Sequence, residues 1–114
     1  MKKPGILLVD DDKNTANGLR KILLQDGYDT SCVYTGNEAL DLIDTEHFDI
    51  VITDMKLPDV SGFSIIERVK KKDADIPVIM ITAFSSLQTA IDAMKKGADD
   101  YLTKPVNIEE LELI

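Results

Sequence analysis

Cysteine is almost absent from this chain. The one thiol among 114 residues, Cys32, excludes an internal disulfide and fits a reducing compartment. Long apolar runs are missing as well, and no stretch nears the roughly 20 residues that a membrane-spanning helix needs. Met1-Lys2-Lys3 has the charge of a signal-peptide start. Ile6-Leu7-Leu8-Val9, however, runs directly into Asp10-Asp11-Asp12, so the apolar segment is too short for export. A cytoplasmic location is therefore expected. There is no basic surplus: the net charge is −8. Such a surface repels phosphate backbones and anionic lipid, so neither direct nucleic-acid binding nor membrane binding is expected. Internal repeats, low-complexity segments and linkers are lacking, and the length suits one buried core, so residues 1–114 read as one domain. The only histidine, His47, lies close to Glu46 and Asp49 and reads as a surface residue.

What is present is a soluble globular composition, 44% hydrophobic and 30% charged, arranged as strand then helix five times over. Apolar runs at Ile6–Val9, Ser31–Val33, Ile50–Thr53, Val78–Ile81 and Tyr101–Leu102 predict strands. The longer ones show no polar alternation, as expected of strands covered on both faces. Cys32 falls within the second and reads as a small buried residue. Ala16, Leu19, Ile22 and Leu23 recur at helical spacing, with Gly27 as a stop. Thr35-x-x-Glu38 has the form of a capping box ahead of Ala39, Leu40 and Ile43. Phe63, Ile66 and Val69 mark a third helix, whose end, Lys70-Lys71-Lys72, reads as solvated. Leu87, Ala90, Ile91 and Met94 mark a fourth, with Lys95 and Lys96 at its negative end and Gly97 as its stop. Asn107-x-x-Glu110 caps a fifth. The chain stops about two turns into that helix, as expected of a domain belonging to a longer protein. The alternation predicts a doubly wound α/β fold with a parallel sheet.

Ligands of such sheets bind beyond the carboxyl ends of the strands. The first strand delivers Asp10, Asp11 and Asp12 there, the third Asp54, the fourth Thr82 and the fifth Lys104. Carboxylates gathered at one edge repel one another, and a hard cation relieves them. Mg²⁺ takes oxygen ligands, often one or two carboxylates, and keeps waters for a phosphate. Asp12 sits where a helix N-cap belongs. Asp10 and Asp11 alone fit a solvated loop as well as a metal site; Asp54, ending another buried strand, favours the metal. A carboxylate can also attack phosphorus to form an acyl phosphate. That chemistry needs positioning and charge neutralisation, for which Lys104 and Thr82 are the candidates.

Ile6-Leu7-Leu8-Val9-Asp10-Asp11, Asp54-Met55-Lys56-Leu57-Pro58 with Gly62, Thr82-Ala83, Gly97-Ala98 and Lys104-Pro105 resemble the receiver domains of bacterial two-component response regulators. The resemblance covers nearly the whole chain. It implies a flavodoxin-like sheet of order 2-1-3-4-5 and a regulatory phosphoacceptor domain rather than an enzyme. It makes Asp54 the phosphoacceptor, Asp11 a direct Mg²⁺ ligand, Asp10 a ligand acting mainly through water, and Lys56 a ligand through its backbone carbonyl. Thr82 becomes the switch hydroxyl, Tyr101 its paired aromatic and Lys104 the phosphate-binding lysine. Lys104-Pro105 resembles a family cis peptide. Ser61 departs from the acid that many relatives carry before Gly62.

The implied partners are a sensor histidine kinase and an attached output domain. A homodimer through the fourth helix, fifth strand and fifth helix is also open. The stretch from Thr82 to Pro105 resembles receivers of sigma-54-dependent enhancer-binding activators; receivers of hybrid kinases and stand-alone relay proteins are the alternatives. Three other classes fit less well. A haloacid-dehalogenase-type hydrolase would use Asp10-x-Asp12 but leaves Asp54, Thr82 and Lys104 without a role. A flavodoxin would want hydroxyls, not acids, after the first strand. A phosphorylation-independent module on this fold tends to lose the acids or the lysine.

Overall fold

A computed structural model of the chain describes residues 4–83 and 86–104. Its strands are β1 (Gly5–Val9), β2 (Asp29–Val33), β3 (Ile50–Asp54), β4 (Val78–Thr82) and β5 (Asp100–Thr103). They pair in parallel throughout, in the order β2-β1-β3-β4-β5. The helices are α1 (Lys13–Gln25), α2 (Gly36–Thr45), α3 (Gly62–Lys72) and α4 (Leu87–Lys95). The expected flavodoxin-like order is therefore the observed one. The fifth helix and the Lys104–Pro105 bond lie outside the described residues.

The unbroken apolar runs follow from the two-residue period of a strand. Ile6, Leu8, Ile52, Ile79 and Ile81 point to the face covered by Ala16, Leu19 and Leu23 of α1. Leu7, Val9, Val51, Val78 and Met80 point to the face covered by residues of α2, α3 and α4. Leu7, Leu8 and Ile81 are completely buried. Truncating any one to alanine should cost about 2–5 kcal/mol.

The helix ends follow local chemistry. Asp12 caps α1, accepting from the amides of Asn14 and Thr15 at 3.0 and 3.3 Å. Thr35 caps α2, accepting from the Glu38 amide at 3.3 Å and donating to Glu38 Oε1 at 2.9 Å. Ser61, in place of the familiar acid, caps α3 through the Phe63 amide at 3.1 Å; serine is among the best residues for that task. Gly27 and Gly97 take φ of +94° and +111° just past α1 and α4, conformations that other residues rarely adopt.

The fourth helix forms where its spacing predicts; it buries Ala93, while Leu87, Ile91 and Met94 are exposed, so its apolar spacing lies on the outer side. Two expectations need correction. Of the three lysines ending α3, Lys71 is exposed as expected, but Lys70 and Lys72 are not simply solvated. Lys70 donates to the carbonyls of Ala74 and Ile76 and to Asp99, and Lys72 donates to the carbonyls of Ile43 and Glu46. Their ammonium groups serve carbonyls at loop and helix ends. Cys32 is half-buried rather than buried; it lies 4.0 Å from the Ala16 carbonyl, and burial pushes its thiol pKa up. His47 is exposed and contacts Asp49.

Candidate functional site

Because β1, β3, β4 and β5 run parallel, their carboxyl ends meet at one edge, bringing Asp10, Asp54, Thr82 and Lys104 together. Asp10 and Thr82 are fully buried, Asp54 is 5% exposed, and Asp11 is open to solvent. The Lys104 ammonium donates to Asp54 Oδ2 at 2.7 Å and forms an ion pair with Asp10 Oδ2 at 2.8 Å. The strand pairing sets this reach: the Lys104 amide bonds the Thr82 carbonyl at 2.9 Å, just beyond the β4–β5 ladder. The remaining carboxylate oxygens are held from their own loops. Asp10 Oδ1 accepts from the Asp12 amide at 3.0 Å, and Asp54 Oδ1 from the Lys56 amide at 3.3 Å.

Burial raises the pKa of Asp10, opposed by the Lys104 ammonium and the Asp12 amide. Burial works to lower the Lys104 pKa, but the contacts with Asp10 and Asp54 outweigh it and raise it. Asp12 is different. Its amide bonds hold its carboxyl below the usual range, and it belongs to the helix cap rather than to the carboxylate cluster.

One oxygen each from Asp10, Asp11 and Asp54 lies within 4.8 Å of the others. Three carboxylates against one ammonium leave two negative charges when all are ionised. Asp10 Oδ2, although close to Lys104, has no aligned hydrogen-bond donor and is buried. An all-oxygen set with surplus negative charge and a buried, undersatisfied carboxylate oxygen suits a small hard divalent cation. These residues fit Mg²⁺.

The backbone around Asp54 is closely packed. A Cβ on Gly62 would lie 2.1 Å from the Asp54 carbonyl oxygen, so only glycine allows α3 to start there. The Gly62 amide bonds the Met55 carbonyl at 2.7 Å. Tyr101 stands apart from the carboxylates: half-buried, it places its hydroxyl 3.0 Å from Thr89 Oγ1 on α4.

The sequence profile of the response regulator receiver domain matches residues 6–114. The chain belongs to the response regulator receiver domain family. This receiver is 36% identical over 110 residues to the transcriptional regulatory protein ZraR of Salmonella typhimurium, matching 96% of its own length but only a quarter of that relative's. It is 37% identical to the receiver domain of the Francisella response regulator 1452, with a TM-score of 0.89 and coverage of 97% and 92% of the two chains. A Burkholderia pseudomallei response regulator carrying a phosphorylated aspartic acid and a calcium ion superposes with a TM-score of 0.90 at 33% identity, over 96% of this chain and 65% of that one.

Two side-chain contacts between separate segments escaped the sequence analysis. Thr89 holds Tyr101, and Asp59 bonds the amides of Gly36 and Asn37. Each pairing joins segments distant in the chain, and neither residue type stands out in its local pattern. Among the described residues, no helix is long and apolar enough to cross a membrane.

Proposed function

We propose that this receiver is a phosphorylation-controlled switch in which Asp54, with Mg²⁺ bound, accepts a phosphoryl group from a sensor histidine kinase and thereby regulates an attached output domain. The observation that carries this is the Lys104 ammonium between Asp54 and Asp10. It is a cation already aimed at the place where a phosphoryl oxygen would arrive. Asp10, Asp11 and Asp54, with the Lys56 carbonyl, would hold the metal, which neutralises charge on the phosphoryl oxygens. An Asp54 carboxylate oxygen forms the new O–P bond while the N–P bond of the donor phosphohistidine breaks, leaving its electron pair on the imidazole. Lys104 passes from the carboxylate to a phosphoryl oxygen, and the Thr82 hydroxyl donates to another. The Burkholderia relative, with its phosphorylated aspartic acid, supports this chemistry by analogy.

The experiment is incubation with Mg²⁺ and acetyl phosphate, followed by intact-mass measurement. One phosphoryl group should add to the wild-type chain and none to Asp54→Ala. Equal labelling of both would overturn the assignment.

A transcriptional output is supported by the name of ZraR, of which this chain matches a quarter. The resemblance of Thr82–Pro105 favours the sigma-54-dependent class over hybrid kinases and stand-alone relay proteins. Pairing through the α4 and β5 face, together with the fifth helix expected from the sequence, is supported by the exposure of Leu87 and Met94, 79% and 49%. Sedimentation with and without beryllofluoride, which mimics a phosphoryl group on an aspartate, tests that pairing: a shift to dimer supports it, and a monomer in both states removes it.

A further inference from the structure

The segment between β3 and α3 carries the Lys56 carbonyl, and the fold holds it at three places. At its base, the Gly62 amide bonds the Met55 carbonyl at 2.7 Å. Midway, Lys56 faces Ser61 across an isolated antiparallel bridge. At its tip, the Asp59 carboxylate reaches across to the start of α2: Oδ1 accepts from the Gly36 amide at 2.7 Å, and Oδ2 from the Asn37 amide at 2.8 Å. Oδ1 also accepts from the Val60 amide at 3.0 Å, closing the tip on itself. The approach is close at Gly36, where a Cβ would lie 2.0 Å from Val60 Cγ2 and 3.0 Å from Asp59 Oδ1.

Helix α2 already has its own cap, Thr35, which serves the Glu38 amide. The amides of Gly36 and Asn37 are left to Asp59, twenty-odd residues away in the chain. Both amides point outward at the positive end of the helix, where a carboxylate is the favoured partner. The bonds also hold the Asp59 carboxyl below the usual range, the Asn37 amide being the largest cause.

We propose that Asp59 is a positioning residue for the metal site, fixing through α2 the loop that presents the Lys56 carbonyl. This rests on the reading that the Lys56 carbonyl joins Asp11 and Asp54 around Mg²⁺. Without the tether, the loop keeps its base and its bridge but loses its tip, and the carbonyl must be ordered when the metal binds. Groups bonded directly to a metal ligand typically cost metal affinity about 10–100-fold when removed; Asp59 acts one step further out, so about the low end is expected.

The test is a Mg²⁺ titration of the chain, followed by the backbone amide shifts of Met55–Ser61. Asp59→Ala should weaken binding about tenfold. Asp59→Asn, which keeps one acceptor, should fall between it and wild type. Thr35→Ala is the control: it also uncaps α2 but leaves the loop tether intact, and should bind Mg²⁺ as wild type does. Wild-type affinity in Asp59→Ala would overturn the proposal. So would equal weakening in Asp59→Ala and Thr35→Ala, which would make Asp59 merely a helix cap. Absence of Mg²⁺ binding in the wild-type chain itself would instead overturn the metal reading on which the proposal rests.

Discussion

The Tyr101 hydroxyl lies 3.0 Å from Thr89 Oγ1, joining β5 to the first turn of α4. The same Thr89 oxygen accepts from the Ser86 amide at 2.9 Å as part of the α4 capping box. The aromatic side chain to which the family resemblance gives the switch role is thus bonded to the cap of α4. Tyr101→Phe removes that contact without changing the ring. It should cost about 0.5–1.5 kcal/mol and speed amide exchange in the first turn of α4, while phosphorylation of Asp54 persists. Denaturant unfolding and hydrogen exchange check both effects. Unchanged exchange at Ala90 and Ile91 would show that the hydroxyl holds nothing.

Lys104 is the counter-charge for two buried carboxylates. Lys104→Met should destabilise the metal-free domain by roughly 1–3 kcal/mol, below the 3–5 kcal/mol of a fully enclosed broken pair because the site has a solvent side. The same change should tighten Mg²⁺ binding, since the ammonium competes with the metal for the carboxylates. Added Mg²⁺ should therefore raise the unfolding midpoint of Lys104→Met by more than that of wild type. An equal rise in the two proteins contradicts this.

Asp10 gives the pH dependence its sign. Burial raises its pKa from an ordinary 3.8, so the native state holds this proton more tightly than the unfolded chain does. The resulting stability is fully present below pH 3.8 and is lost as pH rises through the raised value. At neutral pH, without metal, ionised Asp10 is a net cost. Asp10→Asn should then be more stable than wild type at pH 7, with the advantage shrinking as pH falls toward 3.8, the ordinary value. It should also bind Mg²⁺ less tightly. Urea unfolding across that range is the measurement. Lys104 works at the opposite end: its pKa is raised from 10.5, so its contribution is complete below that value and lost above the raised one.

Gly62 and Gly36 allow a paired test of close approach. Alanine at 62 would press on the Asp54 carbonyl oxygen at 2.1 Å, which is backbone. Alanine at 36 meets first the Val60 side chain at 2.0 Å, which can turn aside. Gly62→Ala should therefore be the costlier, by about 1–3 kcal/mol. It should also slow labelling by acetyl phosphate, because relief requires moving the strand that carries Asp54. Equal stability and equal labelling rates for the two variants would remove the argument.

The parts of this design that were legible in the sequence are those written in local pattern. Leu7 and Leu8 face opposite layers, so a strand buried on both sides reads as an unbroken apolar run. Acids after β1 and β3 and Lys104 after β5 could be placed at one edge because parallel strands end together. The tethers were not legible. Asp59 looks like any loop acid until α2 comes alongside, and Lys70 looks like a solvated lysine until the Ile76 carbonyl turns toward it. The spacing that marks α4 as a helix does not say which way its apolar side faces. Leu87, Ile91 and Met94 keep helical spacing whether the face they form meets the sheet or the solvent.

That stripe leads to the last prediction. Helix α4 buries a single residue of its own, Ala93. Its remaining described ties include the Thr89–Tyr101 contact near its start and Lys96 just past its end, which donates to Glu67 at 2.9 Å and lies over the Phe63 ring at 5.8 Å. The Lys96–Glu67 pair is exposed and worth little. A helix held mainly by such contacts is cheap to move, unlike α3, which buries Ile65, Ile66 and Val69. A phosphoryl group on Asp54 brings charge and strong acceptors beside Thr82 and Lys104. New charge-assisted bonds there contribute about 1.5–3 kcal/mol each, enough to shift a two-state helix by tenfold or more. Beryllofluoride with Mg²⁺ should therefore change the amide shifts of Leu87–Lys95 and Tyr101 as well as those around Asp54, while α3 stays largely still. Changes confined to the Asp54 pocket would leave the phosphorylation chemistry standing and refute the switch.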